Sequence, residues 1–442
     1  MNGSILTEVC RKKGRVHCIG IGGIGVSAIA RFFASEGCRV SGSDREENPV
    51  MKALREEGIA VQIGHDEGNV PPDTDMVVFS PAIPEENAER RAARKAGIPE
   101  MSYPEALGAL SQTMRTVAVA GTHGKTTTTA MIAAVCAAAG MEPTVIAGSL
   151  LLPEKSNFIK GKPGGIFIVE ACEYKRSFLH IAPDILVITN IEEDHLDYYK
   201  DLSDIQDAFS NLARSLPGEG TLVCNAGDPS LAPVIAATNG NMKDYEKDTR
   251  RIDMPAIGEH NQKNAHAAIA AAEALGISPE TARGALSRFS GTWRRQEHKG
   301  RTEKGALVYD DYAHHPTEIR ATLRAFREKF PDARILAIFQ PHLYTRTRAF
   351  FDDFADSFTD ADEVIIASIY AAREKRGDVS VREEDLARAI GAKARFVPSL
   401  EEIAAAIAAR ESGDIVLTIG AGDIYKAGER ALRARKENNA RK

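Results

Sequence analysis

A short apolar strand followed by a glycine-bounded loop occupies residues 116–129, with the sequence TVAVAGTHGKTTTT. Backbone N–H groups in such a turn can point at an anion, Lys125 adds a positive charge, and Thr126 offers a hydroxyl to Mg²⁺. The pattern GxxxxGK[ST] has a glycine where this chain has Val119, so the match is partial. The alternative is a glycine-rich turn before a packing helix. Because strand, loop, Lys-Thr and helix occur in the required order, we predict a nucleotide-triphosphate site formed by Gly121, Thr122, His123, Gly124, Lys125, Thr126 and Thr127.

Acidic loops follow two of the strands predicted after this segment. The strand at 166–170 leads into EACEY, and the strand at 185–190 leads into NIEEDHLD. Any single carboxylate after a strand is usually just a solvated surface acid. Here that interpretation is weakened, because both loops leave the same edge of a predicted parallel sheet. Mg²⁺ must bridge a hydroxyl of the loop and the terminal phosphates, so a carboxylate is needed there, and a histidine can complete the site directly or through water. The predicted metal ligands are Thr126, Glu170 and His195.

A second glycine motif lies near the N-terminus, where a predicted strand at 15–19 leads into GIGGIG at 20–25 and then a helix. The next predicted strand ends at Asp44, and an acid about twenty residues past such glycines holds a ribose in dinucleotide-binding folds. Ser80 follows another strand of the same predicted sheet. Taken alone, the motif indicates NAD. A UDP-sugar also supplies a diphosphate beside a ribose, so both ligands fit this pattern.

The last third of the chain places polar clusters directly after predicted strands. These clusters are DDYAHHP at 310–316, QPHLYTRT at 340–347 and GAGD at 420–423. Before them, Arg294 and Arg295 either face solvent or provide one side chain for bidentate binding of a γ-phosphate. Capping alone explains Asn261 at the predicted start of an alanine-rich helix. The strand ends of this region are therefore candidate ligand-binding loops.

Alternating strands and helices must position these groups. The alternation predicts an α/β fold of three domains, each a mostly parallel sheet flanked by helices. The first is predicted to be Rossmann-like, the central one a P-loop ATPase and the last one Rossmann-like. A chain of 442 residues exceeds what one hydrophobic core usually serves. A polar segment at 108–115 indicates the first boundary, and the predicted domains are 1–112, 113–298 and 299–442.

Composition narrows the functional classes. The chain is 43% hydrophobic and 27% charged, as in ordinary globular proteins, and its net charge of −6 argues against a nucleic-acid partner. No apolar run reaches membrane-spanning length and the N-terminus does not resemble a signal peptide, so we expect a cytoplasmic protein without a membrane partner. The six cysteines form no CxxC pair, which favours reduced thiols and indicates no zinc site.

Segments in all three predicted domains resemble the Mur ligase family, and the resemblance covers nearly the whole chain. They are, in order, GIGGIGVSAIA from Gly20, AGTHGKTTTT from Ala120, NIEEDHLDYY from Asn190, DDYAHHPTEI from Asp310 and FQPHLYTRT from Phe339. Within the family, the chain most resembles the members that add L-alanine to UDP-N-acetylmuramate during peptidoglycan precursor synthesis. The resemblance implies an ATP-dependent ligase that forms an acyl phosphate and then a tetrahedral intermediate, releasing ADP and phosphate.

The resemblance also implies roles for individual residues. The catalytic residues would be Lys125, Glu170, His195 and Arg295. ATP would be bound by the loop residues together with Asn261 at the adenine, Arg295 at the γ-phosphate and Asp311 at the ribose. The UDP portion would be bound by Gly22, Gly23, Asp44 and Ser80. L-Alanine would be bound by His315, His342 and Arg346. We expect a monomer or a homodimer.

The chain departs from the family pattern at two positions. Many relatives read EADES where this chain has EACEY, so Cys172 replaces an aspartate. A common arginine of the QPH loop is Leu343 here, which leaves carboxylate binding to Arg346. The region 226–257 is also short for the family, which indicates a trimmed edge of the central sheet.

Two other functions stay open from the sequence. A sister enzyme that reattaches a recycled murein tripeptide shares the first glycine motif. Such an enzyme would not need the closely spaced His342 and Arg346, because this pair suits the binding of a single small amino acid. A non-catalytic sensor could bind NAD at 20–25 and ATP at 121–126. The dense polar loops of the last domain argue against a sensor.

Overall fold

The computed structural model describes residues 2–152, 154–372, 374 and 380–440. The chain forms two compact units. The first unit comprises Met1–Asp194, Tyr198–Asp253 and Lys263–Phe289, and the second comprises His195–Asp197, Met254–Gln262 and Ser290–Lys442. The first unit contains two β-sheets and the second contains one.

The N-terminal sheet of the first unit has five parallel strands in the order β3-β2-β1-β4-β5. The strands are β1 (Arg15–Ile19), β2 (Arg39–Asp44), β3 (Ala60–Ile63), β4 (Met76–Phe79) and β5 (Glu100–Ser102). The helices are α1 (Asn2–Arg11), α2 (Ile24–Ser35), α3 (Pro49–Glu56), α4 (Ala88–Lys95) and α5 (Tyr103–Ser111). A Ser102–Glu105 capping box starts α5. This helix was not predicted from the sequence. The first predicted domain boundary falls directly after α5.

The second sheet of this unit has seven strands in the order β12-β11-β10-β6-β9-β7-β8. Its strands are β6 (Arg115–Ala120), β7 (Thr144–Leu151), β8 (Ser156–Ile159), β9 (Ile166–Glu170), β10 (Ile185–Ile188), β11 (Thr221–Cys224) and β12 (Asn241–Asp244). The pairing of β8 with β7 is antiparallel, and the other pairings among these strands are parallel. The helices are α6 (Lys125–Ala138), α7 (Leu202–Arg214), α8 (Ala232–Ala237), α9 (Glu259–Ala274) and α10 (Pro279–Leu286). The first turn of α9, 259–262, is counted with the second unit.

A buried asparagine ties the two sheets of the first unit together. Asn157 on β8 is fully buried, and its amide donates to the backbone oxygen of Ile24 and to Ser27 on α2. Its carbonyl oxygen accepts a 2.6 Å hydrogen bond from Arg31, which also pairs with Glu57. Because burying these polar groups would be costly without partners, the mutual hydrogen bonds fix α2 against β8.

The sheet of the second unit has six strands in the order β13-β14-β18-β15-β16-β17, with β13 antiparallel to β14 and the others parallel. They are β13 (Glu297–Arg301), β14 (Leu307–Asp311), β15 (Arg334–Phe339), β16 (Glu363–Ile366), β17 (Ala394–Phe396) and β18 (Asp414–Ile419). The helices are α11 (Pro316–Lys329), α12 (Tyr344–Ala349), α13 (Phe351–Ala355), α14 (Glu383–Ile390), α15 (Leu400–Ala408) and α16 (Tyr425–Ala440).

The predicted α/β architecture of three mostly parallel sheets is confirmed. The apolar face predicted on α11 is fully buried at Ile319, Leu323 and Phe326. In region 226–257, which was predicted to be short for the family, β12 forms one of the two edge strands of the central sheet. Within the described ranges, no helix is both long enough and apolar enough to span a bilayer. The exact domain boundaries remain predictions.

Candidate active site

The loop between β6 and α6 can be built only with glycine at two positions. Gly121 has φ 133° and Gly124 has φ 82°, both in the region that favours glycine. A Cβ atom on Gly121 would lie 2.0 Å from Oγ1 of Thr189, and one on Gly124 would lie 2.3 Å from Oδ1 of Asn264. The residues that follow β10 and a turn of α9 therefore approach the loop backbone closely. Asn264 was not predicted as part of this site.

Residues after β10 also hold the loop by hydrogen bonds. The backbone oxygen of Asn190 accepts from Thr122 N at 3.0 Å, and its side-chain oxygen accepts from His123 N at 2.9 Å. The backbone oxygen of His123 accepts from Thr189 Oγ1 at 2.5 Å and from Asn190 Nδ2 at 3.1 Å. The loop conformation is thus fixed by the neighbouring strand end, and Asn190 is an anchoring residue that sequence analysis missed.

Lys125 begins α6 and folds back over the loop. Its ammonium group donates to the backbone oxygen of Gly121 at 2.5 Å, to that of Thr122 at 3.0 Å and to Oε1 of Glu173 at 3.0 Å. Burial alone would lower the pKa of Lys125, but the charge of Glu173 and other nearby acidic groups raises it above its usual value. The lysine is therefore held as a cation beside the loop.

The first two predicted metal ligands lie together at the start of α6 and the end of β9. Oγ1 of Thr126 donates to Oε1 of Glu170 at 3.0 Å, and Oε2 of Glu170 accepts from Gly148 N at 2.6 Å. A hydroxyl and a carboxylate are the hard oxygen donors that Mg²⁺ prefers, so this pair fits the ion. His195, the third predicted ligand, has φ 54° and belongs to the second unit. Its metal role stays a prediction. Cys172, close behind Glu170 in the chain, is exposed.

The predicted UDP-binding residues Gly22, Asp44 and Ser80 gather at the end of the N-terminal sheet. Oδ2 of Asp44 accepts from Gly22 N at 2.8 Å, so the acid holds the glycine loop directly. The backbone oxygen of Ser43 accepts from Gly20 N at 2.8 Å and from the next backbone N–H at 3.0 Å. A Cβ atom on Gly20 would lie 3.0 Å from the Cβ of Ser80. Gly23 is the N-cap of α2.

A buried polar network lies beneath this loop. Glu89 on α4 is fully buried and accepts hydrogen bonds from Ser43 at 2.6 Å and Asn69 at 2.8 Å, while Nε2 of His17 lies 2.9 Å from its Oε2. His65 bonds the same serine at 3.0 Å. Burial would raise the pKa of Glu89, but the hydrogen bonds and the charge of His17 lower it to about 2. Neither His65 nor Glu89 was predicted as part of this site.

The paired arginines of the second unit have different environments. Arg294 is 2% exposed, and it donates to Asp310 at 2.7 Å, to the backbone oxygen of Gly422 at 2.8 Å and to that of Gly420 at 2.5 Å. It therefore locks the GAGD loop to β14. Arg295 is less buried, and its guanidinium lies 5.1 Å from the centroid of the Tyr312 ring. Of the two, only Arg295 remains a candidate for the γ-phosphate.

The predicted adenine and ribose residues are connected through Gln296. The amide of Asn261 donates to the backbone oxygen of Ile257 at 2.8 Å and to Oε1 of Gln296 at 3.1 Å. Gln296 N in turn donates to Oδ2 of Asp311 at 3.0 Å. Burial raises the pKa of Asp311 to about 6. Since α9 begins at Glu259, Asn261 lies inside the first turn, and the prediction that capping alone explains it is wrong.

Two of the three predicted amino-acid ligands contact each other. Nη1 of Arg346, on α12, lies 3.2 Å from Nδ1 of His342. His315 instead caps α11, where its Nδ1 accepts from Thr317 N at 3.3 Å. Leu343, where the family resemblance predicts an arginine, is 3% exposed and has φ 68°. The QPH loop and α12 therefore place Arg346 next to His342, one of the predicted histidine ligands.

The sequence matches a single family along most of its length. Residues 15–115 match the domain described as "Mur ligase family, catalytic domain", residues 119–251 the "Mur ligase middle domain", and residues 294–422 the "Mur ligase, glutamate ligase domain". 

Curated relatives are similar over nearly the full chain. A protein of Clostridium acetobutylicum named UDP-N-acetylmuramate–L-alanine ligase is 40% identical, over 95% of this chain and 97% of its own. A protein of Desulfitobacterium hafniense with the same name is 42% identical, over 94% and 98%.

Solved structures show the same architecture. The UDP-N-acetylmuramate-alanine ligase of Thermotoga maritima superposes with a TM-score of 0.81 at 30% identity, covering 96% of this chain and 100% of its own. A murein peptide ligase of Psychrobacter arcticus superposes with a TM-score of 0.71 at 26% identity, covering 95% and 98%.

Proposed function

Because this chain belongs to the Mur ligase family, we propose that it uses ATP to join L-alanine to the lactyl carboxylate of UDP-N-acetylmuramate. The products would be UDP-N-acetylmuramoyl-L-alanine, ADP and phosphate, in the synthesis of peptidoglycan precursors. The observation that supports this reaction type best is the group formed by Lys125, Thr126 and Glu170 beside the glycine loop. The choice of substrates rests on the names of the relatives that are about 40% identical over nearly the whole chain.

The proposed chemistry explains why the loop needs concentrated positive charge. A lactyl carboxylate that attacks the γ-phosphate brings two anions together, and the barrier falls only if their charges are neutralised in the transition state. Loop N–H groups and Lys125 would bind the phosphates, and Arg295 would bind the γ-phosphate. Thr126 and Glu170, with His195, would hold Mg²⁺. Bound there, the ion supplies further positive charge to the phosphate oxygens.

The remaining residues would bind and orient the substrates. In the N-terminal sheet, Gly22, Gly23, Asp44 and Ser80 would bind the UDP portion, so a UDP-sugar rather than NAD is the proposed ligand. In the second unit, Asn261 would bind the adenine, and Asp311 would accept a hydrogen bond from the ribose. Amino-acid binding would fall to His315, His342 and Arg346. The arginine would bind the carboxylate of L-alanine, and a histidine would lie near its amine.

Phosphate release from ATP tests the proposal. Purified protein with Mg²⁺, ATP and UDP-N-acetylmuramate should release phosphate when L-alanine is added. Rapid phosphate release with a murein tripeptide but not with L-alanine would show instead that the chain is a recycling ligase. The similar structure from Psychrobacter arcticus is named a murein peptide ligase. Binding of ATP without release under any condition would favour a sensor.

Replacing Arg346 by alanine tests the amino-acid site. Since the guanidinium is the proposed partner of the substrate carboxylate, R346A should raise the KM for L-alanine about a hundredfold, as loss of a charge-assisted pair would, and leave the KM for ATP within about twofold. Steady-state kinetics with each substrate varied in turn measure both constants. R348A is the matched control, because Arg348 lies on the same helix and is exposed. An unchanged KM for L-alanine in R346A would exclude this role.

A further inference from the structure

The ammonium group of Lys125 is fully occupied by the protein itself. It donates to two loop carbonyl oxygens and to Oε1 of Glu173, at 2.5, 3.0 and 3.0 Å. A lysine has three N–H donors, so all three are in use. The side chains of Lys125 and Glu173 are 14% and 4% exposed. Solvent and salt therefore screen this pair far less than they would screen a surface ion pair.

Glu173 is held in place by the segment around it. Its backbone oxygen accepts hydrogen bonds from the hydroxyl of buried Tyr199 at 2.5 Å and from Arg176 N at 2.9 Å. Lys175 and Arg176, two and three residues further along, have φ values of 52° and 56°, a left-handed conformation that is uncommon outside glycine. The guanidinium of Arg176 bonds Asp204 on α7 at 2.5 Å. The carboxylate thus faces Lys125 from a fixed position 48 residues along the chain.

We propose that Glu173 is a positioning residue that holds Lys125 while no nucleotide is bound, and that the phosphates of ATP bind by replacing it. This inference rests on the proposed function, in which Lys125 binds the triphosphate. All three donors of the lysine are already engaged, so a phosphate oxygen must displace one of their acceptors. The carboxylate is the acceptor that a nearby triphosphate repels most strongly, because both carry negative charge.

The exchange has a measurable thermodynamic consequence. An interaction that exists in the free protein and is lost in the complex stabilises the free protein and weakens ligand binding by the same amount. Glu173 should therefore keep the loop ordered before ATP binds, at the expense of ATP affinity. A residue with a purely structural role would have the opposite effect, since its loss would loosen the loop and weaken ATP binding.

Replacing Glu173 by glutamine is the direct test. E173Q keeps the shape of the side chain and removes its charge, so we expect ATP to bind about tenfold more tightly, as loss of a competing charge-assisted bond would predict. Calorimetric titration with ATP and Mg²⁺, without the other substrates, measures the dissociation constant. Thermal unfolding should show a lower Tm for nucleotide-free E173Q than for the wild type, and the difference should disappear at saturating ATP.

Further variants separate the possible failures. E219Q, an exposed change of the same charge, should leave ATP affinity unchanged. E173D, with a shorter stem, should lie between the wild type and E173Q, and it serves if E173Q does not fold. In a K125M background, E173Q should no longer tighten binding. Equal or weaker ATP binding by E173Q would overturn this inference alone, whereas unchanged ATP binding by K125M would overturn the proposed function.

Discussion

The two glycine loops of the first unit have the same strand–loop–helix architecture but are held by different carboxylates. In the N-terminal sheet, Asp44 accepts directly from a loop N–H, that of Gly22. In the second sheet, Glu173 accepts from Lys125, which lies between the carboxylate and the loop carbonyl oxygens. The first loop thus keeps an acid where a ribose is expected, and the second keeps a cation where a triphosphate is expected.

The difference follows from the charge that each loop is proposed to bind. A diphosphate that is only anchored can be bound by N–H groups and a helix dipole. A triphosphate attacked by a carboxylate needs a formal positive charge as well, because negative charge accumulates during the reaction. In this proposal, the same loop architecture serves binding in the N-terminal sheet and catalysis in the second sheet, where a lysine follows the last glycine.

The largest expected effect comes from removing the cation of the second loop. K125A should lower kcat/KM for ATP by about a thousandfold or more, at the upper end of what loss of one preorganised donor costs. Binding of UDP-N-acetylmuramate, assigned to the other loop, should stay within about twofold of the wild type. Phosphate release and calorimetric titration measure the two properties. Retained turnover would remove the proposed distinction between the loops.

Adding one methyl group to each loop gives a second, smaller contrast. In G121A, the new Cβ would lie 2.0 Å from Thr189 Oγ1 at a φ of 133°, so the loop must move and the KM for ATP should rise about a hundredfold. In G22A, the new Cβ would meet the side-chain ends of Asn48 and Asp44 at 2.4 and 2.9 Å, which can rotate away. UDP-sugar binding should then weaken only about tenfold. Equal effects in both variants would contradict the tighter confinement of the second loop.

The smallest effect on activity is expected from a substitution in the buried network beneath the first loop, where the expected change is in stability. The pKa of Glu89 is lowered to about 2 from 4.5, so its contribution to stability is present above pH 4.5 and is lost as the pH falls through about 2. The contribution amounts to about 3 kcal/mol. E89Q should unfold with a free energy lower by about this amount at pH 7 and should depend less on pH between 4.5 and 2, as acid titrations monitored by circular dichroism will show. An unchanged pH profile would mean that Glu89 does not carry this charge.

The two glycine loops could be predicted from the sequence, because each is specified by residues that are close together along the chain. Glycine loops between a strand and a helix are short patterns, and each predicted loop was found between the expected elements. The strand-end clusters of the second unit also lie where alternation places them. Edge strands β5, β8, β12 and β13 were missed, since three to five residues carry little periodicity.

Interactions across long sequence separations could not be predicted. Lys125 and Glu173 are 48 residues apart, and Ser43 and Glu89 are 46 apart. Nothing local to either partner specifies such a pair. Arg294 and Arg295 show the same limit, because adjacent identical side chains differ only in what the tertiary structure packs around them. The positions that anchor a loop are thus the hardest to read from sequence.

Following one oxygen atom tests the proposed reaction most directly. UDP-N-acetylmuramate labelled with a heavy oxygen isotope in its lactyl carboxylate is turned over with ATP and L-alanine, and the released phosphate is analysed by mass spectrometry. If the carboxylate attacks the γ-phosphate and L-alanine then displaces phosphate, each phosphate released will carry one labelled oxygen and the product will gain one alanyl group. Unlabelled phosphate, or labelled phosphate without an alanyl product, would contradict the proposal.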